Sequence, residues 1–136
     1  MHPAYLETHF WEEDPCTEWP TQFAIITAYA TTGETWTREQ NDIADQNLAT
    51  ELRMTGRWLK RLTGYSPETG HAEPGWAVHL SLAEACEIGC RYKQDAIYFV
   101  IVGSLHVTPC DSAKRGLVAV GAFRERVSSL PSNHLP

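Results

Sequence analysis

The arrangement of apolar and polar residues divides the chain into short strand-like runs and two capped helices. Phe23 to Tyr29 is a β-branched and aromatic run with few charges, which predicts a central strand covered on both faces. Thr37 followed by Gln40 forms a capping box, in which hydroxyl and amide satisfy orphan N–H groups at a helix start. The helix is expected from about Arg38 to Thr55, ended by Gly56. Within it Ala44, Leu48 and Leu52 recur every four residues, and Asn41 and Asp45 continue the same side, so this face is polar at its beginning and apolar at its end. Ser81 and Glu84 form a second capping box and open a helix to about Lys93, with an inward arc of Leu82, Ala85, Cys86, Gly89 and Cys90. Gly89 costs about 1 kcal/mol of helix propensity relative to Ala, so close packing is expected there.

The remaining segments are shorter. Arg57 to Thr63 has the partial alternation of an amphipathic strand, Gly64 to Gly75 reads as a long turn-rich connection, and Trp76, Val78 and Leu80 alternate with Ala77, His79 and Ser81 as a half-buried strand does. Ala96 to Val102 and Leu105 to Thr108 predict a hairpin around Gly103 and Ser104. Near the N-terminus Tyr5, Leu6, Phe10 and Trp11 recur at almost helical spacing, which predicts a short helix and then an irregular crossing through Pro15 and Pro20. Thr31 to Trp36 and Asp111 to Gly116 are loops, Leu117 to Val127 fits an edge strand or a closing helix, and the end is a frayed tail. The order predicts an α+β fold: a mostly antiparallel sheet with the two main helices on one side, and a ferredoxin-like split unit as one form of its centre. One domain is expected over 1–128, with a flexible tail over 129–136.

Composition narrows the class of molecule. With 136 residues, 43% hydrophobic and 21% charged, the chain suits a single globular domain. Its formal charge of −6 argues against a broad nucleic-acid footprint, the basic residues gathering only at Arg53, Arg57, Lys60 and Arg61 and at Lys114, Arg115, Arg124 and Arg126. The longest apolar run, Ala96 to Val102, is too short to span a bilayer, and Met1 to Phe10 does not resemble a secretion signal. A soluble, cytoplasmic protein is therefore expected, with Cys16, Cys86, Cys90 and Cys110 reduced. Cys86 and Cys90 could share a metal with Cys110 and His106 or His79, but no pair has Cys-x-x-Cys spacing, and the reading as small buried hydrophobes is preferred. No metal or cofactor is expected, since a P-loop, a dinucleotide fingerprint and a nucleophile elbow are all missing from the sequence.

The candidate chemistry lies between Gly70 and Trp76. Glu73 can act as a general base and His71 as its partner, because imidazole titrates near neutrality and burial raises a carboxylate. The competing reading makes Glu73 a structural acceptor of backbone N–H groups in a turn shaped by Pro74 and Gly75, with His71 solvated. Asn41, in the first helical turn, fits a cap, and Asn47 a tertiary hydrogen bond. Trp36 and Trp76 flank these segments and can wall a pocket or anchor a partner.

The chain resembles a bacterial family known as domain of unknown function 3293. The resemblance runs from about Tyr5 to Val107: an opening Tyr before an aromatic, the strand Phe23 to Tyr29, the Asn-bearing helix ending in Leu48 to Leu52, the Glu73-Pro74 pair, and Gln94 ahead of the last hairpin. Where the family carries Asn-Pro after the first strand, this chain has Ala30-Thr31. The resemblance implies a cytosolic bacterial domain without a known activity, and marks Asn41, Asn47, Glu73 and Gln94 as matching polar positions.

Together these readings favour a binding module in which Asn41, Tyr65, Glu73, Trp76 and Gln94 receive a small polar ligand or a protein partner, in a monomer or homodimer. The alternative is a small hydrolase or transferase using Glu73 and His71. A third possibility is a nucleic-acid-interacting phage or defence protein.

Overall fold

A computed structural model describes residues 3–15, 18–30 and 35–129. Cys16, Thr31 to Glu34 and the tail beyond Ser129 lie outside the described residues. The described residues fold as an α+β domain of two α-helices and an eight-stranded, mostly antiparallel, curled sheet.

The strands are β1 (His9–Glu12), β2 (Gln22–Thr27), β3 (Leu59–Tyr65), β4 (Ala72–Val78), β5 (Ala96–Ile101), β6 (Ser104–Pro109), β7 (Val118–Ala122) and β8 (Val127–Ser129). Their spatial order is β7-β6-β5-β2-β4-β3-β1-β8, and among the described strands β1 and β8 pair in parallel. The helices are α1 (Arg38–Met54), between β2 and β3, and α2 (Leu82–Arg91), between β4 and β5. Both start as the sequence predicts: Thr37 accepts from the Gln40 N–H while the Gln40 side chain accepts from the Thr37 N–H, and Ser81 and Glu84 do the same.

Period-two alternation divides the sheet residues between two clusters. Ala24 and Ile26 of β2, Val78 of β4 and Ile97 and Phe99 of β5 join Leu48 and Leu52 of α1 and Ala85, Cys86 and Ile88 of α2. Phe23, Ile25, Ala77, Tyr98 and Val100, from the opposite faces of the same strands, join Phe10, Leu62, Leu105, Val107 and Phe123. The second cluster fills the concavity of the curl. Gly89 has the close approach expected of it, since a Cβ there would lie 2.6 Å from the Cys110 sulfur. The inward arc of α2 differs in one member: Ile88 is buried and Cys90 exposed.

Leu117 to Val127 is neither a single strand nor a helix. It is β7, a 3-10 turn at Phe123–Glu125 and β8, and these two strands form opposite edges of the sheet although only the turn separates them. The edges are therefore drawn together. Arg126 fastens the seam, donating to the carbonyl oxygens of Val120 (2.7 Å), Leu6 (3.2 Å) and Thr8 (3.0 Å), while its own carbonyl accepts from the Phe10 N–H (2.7 Å).

The N-terminal expectation also changes. Pro3–Leu6 is one 3-10 turn, and Phe10 and Trp11 lie in β1, where Phe10 faces the inner cluster and Trp11 stacks on Tyr65 on the other side. Half of the expected loop from Gly64 to Gly75 is strand and half is turn. β3 runs to Tyr65 and β4 begins at Ala72, leaving a six-residue turn, Ser66 to His71, closed by the Ser66 N–H donating to the His71 carbonyl. The predicted turn at Gly103 also shifts by one residue: Val102 and Gly103 occupy it, with φ of 47° and 78°.

Candidate functional site

The concave side of the curl opens at one end into a cavity of about 500 Å³. Five strands meet there, β1 through Phe10. β2 and β3 reach it with their C-terminal ends, β4 and β5 with their N-terminal ends, and the start of α1 closes one side. Phe10, Ile25, Leu62 and Tyr98 line its depth, and Tyr5, Tyr29, Trp36 and Ser66 stand along its walls.

Glu73 belongs to β4, on the same side of the strand as Gly75 and Ala77, and this alternation points it inward. Room beside it comes from glycine. Gly64 pairs with Glu73 across β3, and Gly75 pairs with Thr27 of β2, so tight is the second contact that a Cβ on Gly75 would lie 2.9 Å from the Ile26 carbonyl. Pro74 is tolerated in the strand because β2 has ended at Thr27, whose hydroxyl donates to the Pro74 carbonyl at 2.8 Å.

The Glu73 side chain is 33% exposed, and burial pushes its carboxyl above the ordinary carboxylate range, His71 partly opposing the shift. His71 Nε2 lies 3.9 Å from Glu73 Oε2, and the imidazole is 72% exposed at the rim. These properties disagree with Glu73 as an acceptor of backbone N–H groups in a turn, which would depress its pKa. Glu73 and His71 are the acidic and basic residues of the described lining, which holds no lysine or arginine.

The cavity brings together Asn41, Tyr65, His71, Glu73 and Gln94. Asn41 is not the helix cap, a role filled by Thr37. Its Oδ1 accepts from the Ala30 N–H at 2.9 Å. Gln94, 8% exposed, donates through Nε2 to the carbonyl oxygens of Tyr29 (2.7 Å) and Tyr92 (3.1 Å). Both side chains thus brace the chain leaving β2. Tyr65 borders the cavity while its ring stacks on Trp11 with centroids 4.1 Å apart, and Asn47 is exposed on α1.

Trp76 is on the opposite face of β4 and does not line the cavity. Its Nε1 donates to Asp45 Oδ1 at 3.2 Å, and the Arg61 and Arg53 guanidinium groups lie over its ring at 4.4 and 5.3 Å. Asp45 also receives both Arg61 Nη atoms, at 2.8 and 2.9 Å. The basic cluster is engaged elsewhere too: Arg57 pairs with Glu84 at 2.9 Å, and Lys60 meets Glu12 at 3.8 Å and the Asp14 carbonyl.

Several residues of the cavity had no sequence signal as site residues, Tyr5, Phe10 and Tyr98 among them. Tyr5 and Phe10 are far in sequence from Glu73, and Tyr98 looks like any core aromatic of β5. Its hydroxyl donates to the Tyr5 carbonyl at 2.7 Å, and burial pushes its pKa upward. Among the cysteines, burial raises Cys86 and pushes Cys110 up to about 12, which suits small apolar core residues rather than reactive thiols. Among the described residues no three His, Cys, Asp or Glu side chains gather as metal ligands, and no helix is long and apolar enough to cross a membrane.

Fold and cavity define an α+β domain whose curled sheet holds an aromatic chamber with the Glu73 carboxylate at its wall. Residues 26–97 match the family described as Protein of unknown function (DUF3293), and the chain belongs to that family. No curated protein and no solved structure matches it.

Proposed function

We propose that this domain binds a small, partly polar molecule in the concave cavity, with Glu73 as its polar anchor. The observation that carries the reading is a half-buried carboxylate facing an open chamber of suitable volume for a small ligand, between aromatic walls. A carboxylate so placed weakens the free fold, and a ligand that satisfies it offsets that cost. Asn41 and Gln94 support the site as positioning residues, because they fix the peptide that walls it. The reading does not include Trp76, whose ring is engaged by Asp45, Arg53 and Arg61.

The 3.9 Å approach of His71 to Glu73 favours one further reading, a hydrolase or transferase with Glu73 as general base. The two differ in what they require of His71: a binding site tolerates His71→Gln, whereas the dyad loses turnover with either residue.

Two broader proposals accompany this reading. The order β5-β2-β4-β3 within the β2-α1-β3-β4-α2-β5 stretch supports a ferredoxin-like split core, extended by β6 and β7 on one flank and by β1 and β8 on the other. Free thiols at Cys86, Cys90 and Cys110 support a reducing, cytoplasmic setting.

The binding reading is tested by titrating a neutral aromatic probe, 2-phenylethanol, into isotopically labelled protein and following backbone amides. The reading expects saturable shifts centred on Gly64, Glu73, Gly75 and Tyr98. Shifts centred on Trp76 and the outer face would overturn it.

A further inference from the structure

The charge inventory of the cavity restricts what it can hold. An anionic ligand entering it meets a carboxylate and no lysine or arginine of the described lining, and is repelled. A neutral apolar ligand would fill the depth but leave Glu73 desolvated and poorly compensated, because the facing imidazole is 72% exposed and 3.9 Å away. A cation satisfies both parts of the site. Aromatic faces carry negative quadrupole potential, and Tyr5, Tyr98 and Trp36 present such rings around the same space as the carboxylate. Tyr98 and Glu73 line the same space.

We infer that the ligand is a small organic ammonium, an aromatic or apolar body carrying one protonated amine, with the body against Phe10, Ile25, Leu62 and Tyr98 and the amine at Glu73. This inference rests on the cavity being a ligand site. Binding by this mode requires ionised Glu73, and burial raises the pH at which that ionisation is lost. The affinity for the amine therefore falls as pH drops through the Glu73 titration. A ligand that instead accepted a hydrogen bond from the protonated carboxyl would show the opposite trend.

Three probes of one shape but different charge separate the possibilities: phenethylamine, 2-phenylethanol and phenylacetate, each titrated calorimetrically near neutral pH. The expected order places phenethylamine at least about ten-fold tighter than 2-phenylethanol, with phenylacetate weakest. Glu73→Gln should erase the amine's margin over 2-phenylethanol. His71→Gln removes the side chain that faces Glu73 and should keep or strengthen phenethylamine binding. Equal binding of amine and alcohol by the wild type, or a margin that survives Glu73→Gln, overturns the ammonium assignment while leaving the cavity as a ligand site. Failure of all three probes to bind overturns both.

Discussion

Asn41 and Gln94 hold the two ends of one peptide group. The Ala30 N–H donates to Asn41 Oδ1 at 2.9 Å, and the Tyr29 carbonyl of the same peptide accepts from Gln94 Nε2 at 2.7 Å. One residue comes from α1 and the other from the turn after α2, so this clamp ties both helices to the end of the central strand β2. Asn41→Ala or Gln94→Ala should each cost about 1–3 kcal/mol by stranding a partly buried partner. The double variant should cost less than the sum, because the second loss releases a peptide already loosened. Urea unfolding of the four proteins measures the coupling, and strict additivity would contradict a shared clamp.

Gly89 supplies a test of the helix-to-sheet packing. A methyl group there would lie 2.6 Å from the Cys110 sulfur and 3.0 Å from Ile97 Cγ2. Gly89→Ala should therefore destabilise the protein by about 1–3 kcal/mol through overpacking, less the ~1 kcal/mol gained in helix propensity. Adding Cys110→Ala should recover part of the loss, a recovery visible as a higher denaturation midpoint. A Gly89→Ala protein more stable than wild type would show that α2 shifts freely.

Elements with local signals were legible in the sequence. Thr37 with Gln40 and Ser81 with Glu84 mark helix starts through bonds made within one turn, and Phe23 to Ile26 announces a doubly covered strand by composition. What failed depended on distant partners. Phe10 and Trp11 look helical in spacing beside Tyr5 and Leu6, yet pairing with β3 and β8 makes them strand. Glu73, Pro74 and Gly75 look like a turn, yet the proline falls where β2 ends and the glycine where β2 crowds the backbone. The same holds for the site. Asn41, His71, Glu73 and Gln94 were visible as polar residues at structured positions, but the curl that carries Tyr5, Phe10 and Tyr98 to Glu73 is set by edge strands with no strong pattern of their own. Trp76 was separated from Glu73 by strand alternation, which a loop reading of that segment conceals.

Glu73 should make stability depend on pH in a defined direction. Its carboxyl titrates higher in the folded chain than in the unfolded one, so the folded state binds more protons in the interval between the two values. Stability from this group is intact below the unfolded value and declines as pH rises through the folded one. Glu73→Gln should therefore raise the melting temperature near neutral pH and leave it almost unchanged in acid, below the ordinary carboxylate range. Thermal scans of the two proteins across pH check this, and a lower Tm for the variant at neutral pH would contradict it.

Following the Glu73 side-chain carboxyl carbon by NMR as pH is varied, with and without phenethylamine, tests for a desolvated carboxylate that awaits a cation inside the curled sheet. The free protein should show a midpoint above that of an ordinary glutamate, displaced downward when the amine is bound. A midpoint at or below the ordinary value in the free protein, or one that the amine leaves in place, would contradict it.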